Sequence, residues 1–154
     1  MSRGYKFNEQ GEMIPIDVYI VWGSPGSGKT TYVKEHMQEG DLVVDLDYIK
    51  QSISLSNRTE CKDNLLDTAI KIRELLYDLI GKREVDTDNM WVIAGLPTME
   101  EREQLVHRIK ATEVVFIETT EKKCINRAMN DRDRKDKDTQ IEVINKWFKQ
   151  YNYE

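Results

Sequence analysis

Cysteine is almost absent from this chain: 154 residues contain two, Cys61 and Cys124, in neither a CxxC pair nor a metal-ligand pattern. The expected state is therefore two reduced, unpaired thiols in the cytoplasm. Long apolar runs are also missing. No stretch approaches the roughly 20 residues that cross a bilayer, which gives no reason to expect a membrane partner. The first ten residues, Met1 to Gln10, hold no apolar core of a secretory leader. Basic excess is lacking too, since 23 Lys and Arg face 28 Asp and Glu for a net charge of −5. A protein that coats long nucleic acid draws most of its affinity from neutralised phosphates, so this balance argues against such a coat. It leaves room for a nucleotide or a single nucleic-acid end, either of which needs only a local basic site. Repeats, low-complexity tracts and convincing linkers are absent as well.

What remains is an ordinary globular composition, 39% hydrophobic and 33% charged, at a length that suits one core. Residues 1–15 are polar and end at Pro15, and they read as an N-terminal arm with room for a small strand. Residues 16–154 read as the domain. Ile16-Asp17-Val18-Tyr19-Ile20-Val21-Trp22 is a nearly continuous apolar run, the pattern of a strand buried on both faces. A helix is expected from Lys29 to about Met37, with Gly40 as a stop, then a short strand at Leu42 to Asp45. Apolar positions from Asp63 to Ile80 fall on one helical stripe that ends at Gly81. Met90 to Ala94 is a third strand. Thr98 with Glu101 forms a capping box for a helix reaching about Lys110, Val114 to Ile117 is a fourth strand, and Thr120 caps a further helix beyond it. Thr139 with Glu142 reads as a second capping box, opening a helix whose Ile141, Ile144, Phe148 and Tyr151 share a core-facing side flanked by Trp147. Strands alternating with helices give an α/β sandwich around a parallel sheet. Ligands in such sheets bind beyond the carboxyl ends of the strands, so segments 23–30, 45–50, 95–98 and 118–120 should line the crevice.

Three segments carry chemistry. Gly23-Ser24-Pro25-Gly26-Ser27-Gly28-Lys29-Thr30 joins the first buried strand to the first helix. Glycines at 23, 26 and 28 let backbone N–H groups bend around an anion, and the helix start adds unpaired N–H groups and a positive dipole end. Lys29 should reach the terminal phosphates of a nucleoside triphosphate, and the Thr30 hydroxyl should ligate Mg²⁺. The second segment is Asp45-Leu46-Asp47-Tyr48-Ile49-Lys50. Of its two carboxylates, one can hold Mg²⁺ through water and the other can take a proton from an attacking hydroxyl. Equally, this is an exposed strand end with Asp47 capping a helix. The third is the mixed-charge run Arg127 to Asp138. It reads either as solvated surface or as a lid whose arginines close over a γ-phosphate.

In that order, the motifs resemble the small P-loop kinases of the polynucleotide kinase-like group, particularly phage-encoded members. Many of those are described only as ATP-binding or AAA-type proteins. The resemblance covers about residues 16–151. It implies a P-loop NTPase three-layer sandwich with a parallel sheet of four to five strands and a short arginine-bearing lid. By resemblance Gly23, Ser24, Pro25, Gly26, Ser27, Gly28, Lys29, Thr30 and Thr31 hold the phosphates of ATP, with GTP also admitted and Mg²⁺ held at Thr30 and Asp45. Asp47 falls on the general base and Lys50 on a basic substrate contact. Arg127 matches the lid helix, Arg132 or Arg134 a phosphate-stabilising arginine, and Arg102 a recurrent arginine beside the acceptor. Many relatives carry an acid after the third strand; this chain has Ala94-Gly95-Leu96-Pro97-Thr98 instead. The resemblance therefore points to a kinase acting on a nucleoside, a nucleotide or a nucleic-acid 5′ end. An ATPase or nucleotide-dependent switch working on a protein or on DNA is the alternative, and a binding module without catalysis is a third reading. A motor-type ATPase would pair the loop with a strand ending in Asp-Glu, which Ile117-Glu118 and Val44-Asp45 match only in part, and 154 residues leave no room for the helical lid domain of a full AAA+ module.

Overall fold

The computed structural model describes residues 4–57, 63–132 and 136–153. A short antiparallel hairpin comes first, β1 (Tyr5–Phe7) and β2 (Met13–Pro15). Four strands then form a parallel sheet: β3 (Asp17–Trp22), β4 (Leu42–Val44), β5 (Asn89–Ala94) and β6 (Glu113–Phe116), in the order β4-β5-β3-β6. Six α-helices are found among the described residues: α1 (Lys29–His36), α2 (Leu46–Ser54), α3 (Leu66–Gly81), α4 (Met99–Ile109), α5 (Glu121–Asn130) and α6 (Lys137–Asn152). A 3₁₀ turn, Asp63–Leu65, leads into α3.

Alternation along the strands divides the apolar residues between two layers. Val18, Ile20 and Trp22 of β3, with Met90 and Val92 of β5, face a large cluster to which α2 through α6 contribute Ile49, Ala69, Leu105, Cys124 and Ile144. The odd-numbered neighbours Val21, Trp91 and Ile93 face a smaller cluster with Val33 of α1. Helices thus cover both faces, unequally. This is the α/β architecture of a P-loop NTPase.

Register decides where the site lies. Trp22 is level with Ala94 on one side and with Phe116 on the other, so three strands end in one row and release their loops from one edge. Val44 pairs with Val92, so β4 stops two steps short of that row. The bond from Ile117 N to Trp22 O (2.9 Å) prolongs the pairing into the loop after β6.

The capping box at Thr98 forms as expected: Glu101 N donates to Thr98 Oγ1 (3.2 Å) and Thr98 N to Glu101 Oε2 (3.0 Å). Thr120 caps α5 through Lys123 N. The second expected box does not form. Helix α6 starts at Lys137, with Asp136 as its cap, and Thr139 N donates to Asp136 Oδ1 (3.1 Å). Thr139 is thus the third residue of the helix. A carboxylate satisfies the free N–H groups and also meets the positive end of the dipole, which places the start three residues earlier than Thr139 and Glu142 suggested. Asp136 is held below its ordinary carboxylate range by those bonds from Thr139.

Helices α3 and α4 approach closely at Gly81, where an added Cβ would lie 2.6 Å from the Arg108 carbonyl oxygen. That oxygen is backbone and cannot swing aside, so Gly81→Ala must push α3 from α4. Overpacking of this kind costs about 1–3 kcal/mol, and a domain of this size loses about 2–4 °C per kcal/mol. The expected result is a melting temperature lowered by about 3–10 °C in a thermal melt.

Candidate active site at the glycine-rich loop

The loop of residues 23–28 leaves β3 at the common row of strand ends and enters α1. All three of its glycines hold positive φ, Gly23 at 157°, Gly26 at 77° and Gly28 at 102°, conformations that cost other residues strain. At Gly23 space is a further constraint. An added Cβ would stand 2.7 Å from Ile117 O and 2.9 Å from Ser27 Oγ. The loop is also held from outside: Thr119 Oγ1 donates to Ser27 O (3.2 Å), and Arg127 Nη1 of α5 donates to Gly26 O (2.8 Å). Lys29 Nζ turns back over the loop and donates to Gly23 O (2.9 Å) and Ser24 O (2.7 Å). A full positive charge therefore sits at the loop mouth.

Three observations fit the phosphates of a nucleotide. Helix α1 has no acidic residue in its first turn, and its cap, Gly28, offers no side-chain bond, so its first N–H groups point at the loop as donors for an anion. The buried Ser27 Oγ is one of two buried side-chain polar atoms without a hydrogen-bond partner among the described residues. Gly23, Gly26 and Gly28 bring bare backbone to the cradle, with no Cβ at those positions. Pro25 and Thr30 are half-buried within this stretch and Thr31 is exposed.

Asp45 caps α2 by position, with extended backbone, and makes no side-chain bond to the helix start. Asp47 lies in the first turn of α2 rather than at its cap, so the reading of Asp47 as the capping residue does not hold. Asp47 is exposed and Lys50 half-buried. The Lys34 ammonium of α1 lies 5.9 Å from the centre of the Tyr48 ring, which sets α2 beside α1. Strand order puts β5 between β4 and the loop strand, so Asp45 leaves the sheet about 10 Å from β3 at the usual strand spacing. Of the two strands flanking the loop strand, β5 ends at Ala94 and is followed by Gly95 with no acid, while β6 leads through Ile117 into Glu118. Among the described residues no cluster of three His, Cys, Asp or Glu forms a metal cage. Magnesium needs no such cage, since it usually keeps several waters and takes only one or two protein groups beside phosphate oxygens.

Arg102 of α4 reaches the loop after β5. Its guanidinium lies 4.2 Å from the centre of the Trp22 ring, and Nη1 donates to Leu96 O (2.8 Å). Leu96 holds a positive φ of 48°, and Trp147 Nε1 of α6 donates to the preceding carbonyl, Gly95 O (3.0 Å). The loop after β5 is therefore braced by an arginine and an indole. Arg132 is exposed just beyond α5, whereas Arg134 lies outside the described residues.

Two contacts at the site carry no signal in the sequence. Cys124 is fully buried under the loop, with Sγ 3.0 Å from Ser24 Oγ, although nothing in its spacing marks it. Trp22 stacks on Phe116 at 4.1 Å and so floors the row from which the loops rise.

Comparison with known proteins agrees with this geometry. The family described as AAA domain matches residues 22–145, a span that includes the loop, α2 and both sides of the lid segment. The chain belongs to that family. No curated protein sequence matches it. Among solved structures it is similar to a chain of the Pnkp1/Rnl/Hen1 RNA repair complex, at 15% identity and a TM-score of 0.67. That alignment covers 95% of this chain and 47% of the other, so the chain spans about half the length of that neighbour. At that identity the likeness is one of fold. No helix among the described residues is long and apolar enough to cross a membrane.

Proposed function

We propose that this AAA-domain family member is a Mg-ATP-dependent phosphotransferase that moves the γ-phosphate of ATP to a hydroxyl of a nucleoside, a nucleotide or a nucleic-acid 5′ end. The observation that carries the reading is the hold of α5 on the loop, where Arg127 Nη1 meets Gly26 O. That bond ties the arginine-bearing segment to the phosphate cradle, so Arg132 follows within five residues of a group already at the loop. The chemistry then divides among the chain's own residues. Loop N–H groups and Lys29 hold the β- and γ-phosphates, and Thr30 with Asp45 would hold Mg²⁺, which when bound neutralises phosphate charge. Asp47 takes the proton of the acceptor hydroxyl as it attacks. Lys50 contacts the acceptor, and Arg132 with Arg134 stabilises the equatorial charge of the transferring group. Arg102 supports the acceptor wall through Leu96 O. The fold shared with an RNA repair protein favours a nucleic-acid end among the acceptors.

Replacing Arg132 and Arg134 together should slow phosphoryl transfer by about 10²-fold or more while ATP affinity changes by a few fold at most. Single-turnover kinetics beside calorimetry would separate the two. A change confined to affinity would assign the pair to the surface.

A second reading has one observation behind it. Strand β5 ends without an acid, and the carbonyls of Gly95 and Leu96 are engaged by Trp147 and Arg102. A wall without an acid departs from the acceptor site of the kinases the chain resembles, which leaves an ATPase or nucleotide-dependent switch acting on a protein or DNA as the alternative. The same missing acid, however, gives an ATPase no Asp-Glu at this strand to position its water. Incubation with radiolabelled ATP and a panel of nucleosides, nucleoside monophosphates and 5′-hydroxyl DNA and RNA decides between them. Label in one acceptor establishes the kinase; free phosphate alone overturns it in favour of the switch.

A further inference from the structure

The smaller apolar cluster draws helical residues from α1, eight residues long. Towards the amino ends of the strands, at the opposite end of the sheet from the loop, this face opens into a groove of about 540 Å³. Its floor is aromatic. Tyr19 and Trp91, neighbours in register, stack with ring centres 4.1 Å apart and planes 17° from parallel, with Val115 beside them. Tyr32 and His36 of α1 form one wall, and the hairpin forms the other through Phe7 and Ile14.

The rim is acidic. Glu9, Asp88 and Glu113 border the groove, and the basic side chain among its lining residues, Lys6, bonds to Asp17 Oδ2 (2.8 Å) and Asn89 Oδ1 (2.7 Å). Behind the floor Trp91 Nε1 donates to Asp41 Oδ2 (2.9 Å). Burial, with the nearby charges of Asp17, Glu113 and Asp41, pushes the Tyr19 hydroxyl up to about 12. Among the described lining residues three carboxylates thus stand against one lysine.

The hairpin adds an apolar face to this. Tyr5 pairs with Pro15 and Phe7 with Met13, so these four side chains share the side of the ribbon opposite to Lys6 and Ile14, and Phe7 among them also borders the groove. Tyr5, Phe7 and Met13 are 47%, 62% and 64% exposed. Contiguous exposed apolar groups beside a groove are a mark of an interaction surface. Aromatic faces and carboxylates together favour cationic side chains, by cation–π attraction and by charge.

We propose that the groove and the adjoining hairpin face form a docking site for a basic, apolar-rich segment of a partner protein, separate from the nucleotide site. Lysine or arginine side chains of the segment lie over Tyr19 within the rim of Glu9, Asp88 and Glu113, while its apolar residues cover Phe7 and Met13. Nothing in this assignment depends on which reaction the loop supports.

The test uses the full chain, labelled with ¹⁵N, and synthetic twelve-residue peptides. One alternates Lys and Arg with Leu and Phe, and a second carries Glu at every basic position. Spermine serves as a small cation without apolar groups. The basic peptide should shift the Trp91 indole resonance and the β1 amides. Asp88→Lys with Glu113→Lys should raise its Kd at least about tenfold, equivalent to about 1.4 kcal/mol. Phe7→Ser with Met13→Ser should weaken it as well, and both double variants should keep the ATP affinity of the parent. The proposal is overturned if the basic peptide leaves these resonances unmoved at millimolar concentration, if the acidic peptide binds as well, or if spermine alone reproduces the shifts. It is also overturned if sedimentation shows self-association that Phe7→Ser with Met13→Ser abolishes, because a second copy of the chain then covers the face.

Discussion

Lys29→Ala is expected to lower ATP affinity about 10²-fold in calorimetry. The side chain already lies at the loop mouth, bonded to Gly23 O and Ser24 O, so little reorganisation is needed to meet a phosphate. Charge-assisted hydrogen bonds are each worth about 1.5–3 kcal/mol, and each 1.4 kcal/mol is tenfold in affinity. A thermal melt gives an independent readout. At a concentration one hundred times Kd, ligand stabilises the parent by about 2.7 kcal/mol, or about 5–10 °C for a domain of this size. With affinity reduced 10²-fold, the same ATP concentration should shift the variant by only about 1 °C. Lys146→Ala, on an exposed position of α6, removes equal charge far along the chain and should leave the full shift in place. An unchanged Kd in Lys29→Ala would remove the loop from nucleotide binding, and the proposed reaction with it.

The loop could be read from sequence because the pattern that marks it is local. Glycines at fixed offsets, a buried strand before and a helix after all fall within about 20 consecutive residues. The sheet was legible for a similar reason, since strands buried on both faces read as unbroken apolar runs. The start of α6 was not. Thr139 and Glu142 have the spacing of a capping box, but Asp136, hidden in a run of mixed charge, offers the stronger cap. Asp47 shows the same limit from the other side. As an acid after a strand it suits a cap, yet the chain turns into α2 two residues earlier and leaves Asp45 in the cap position.

The unread part of the site is long-range. The contact between Ser24 and Cys124 spans 100 residues, that between Gly26 and Arg127 spans 101, and that between Gly95 and Trp147 spans 52. Periodicity placed Trp147 near the core, but no spacing rule indicates that its indole would brace the loop after β5. Arg102 illustrates the same point. Motif order marks it as an acceptor-side residue, but its stacking on Trp22 and its bond to Leu96 O carry no signal in that order. These contacts depend on which helices the sheet order brings together, which local pattern does not encode.

The proposed role of Asp47 leads to the second large expected effect. Asp47→Asn should cut phosphoryl transfer by about 10²–10⁴-fold, the usual contribution of a positioned general base. The amide keeps the size and hydrogen-bonding reach of the carboxylate but cannot take the acceptor's proton. ATP affinity should stay within a few fold, because Asp47 lies on α2 and the proposed phosphate contacts come from the loop and Lys29. Stability should change little as well. The helix cap is Asp45, so only the interaction of one first-turn charge with the helix dipole is lost, about 0.3–1 kcal/mol. The combination of intact ATP binding, a near-parental melt and lost transfer distinguishes a base from a structural acid. Asp45→Asn provides the contrast, since weakened Mg²⁺ binding should raise the magnesium concentration needed for half-maximal rate and be partly rescued by excess metal. Turnover that survives Asp47→Asn, with label still reaching the acceptor at the parental rate, would show that the proton leaves by another route.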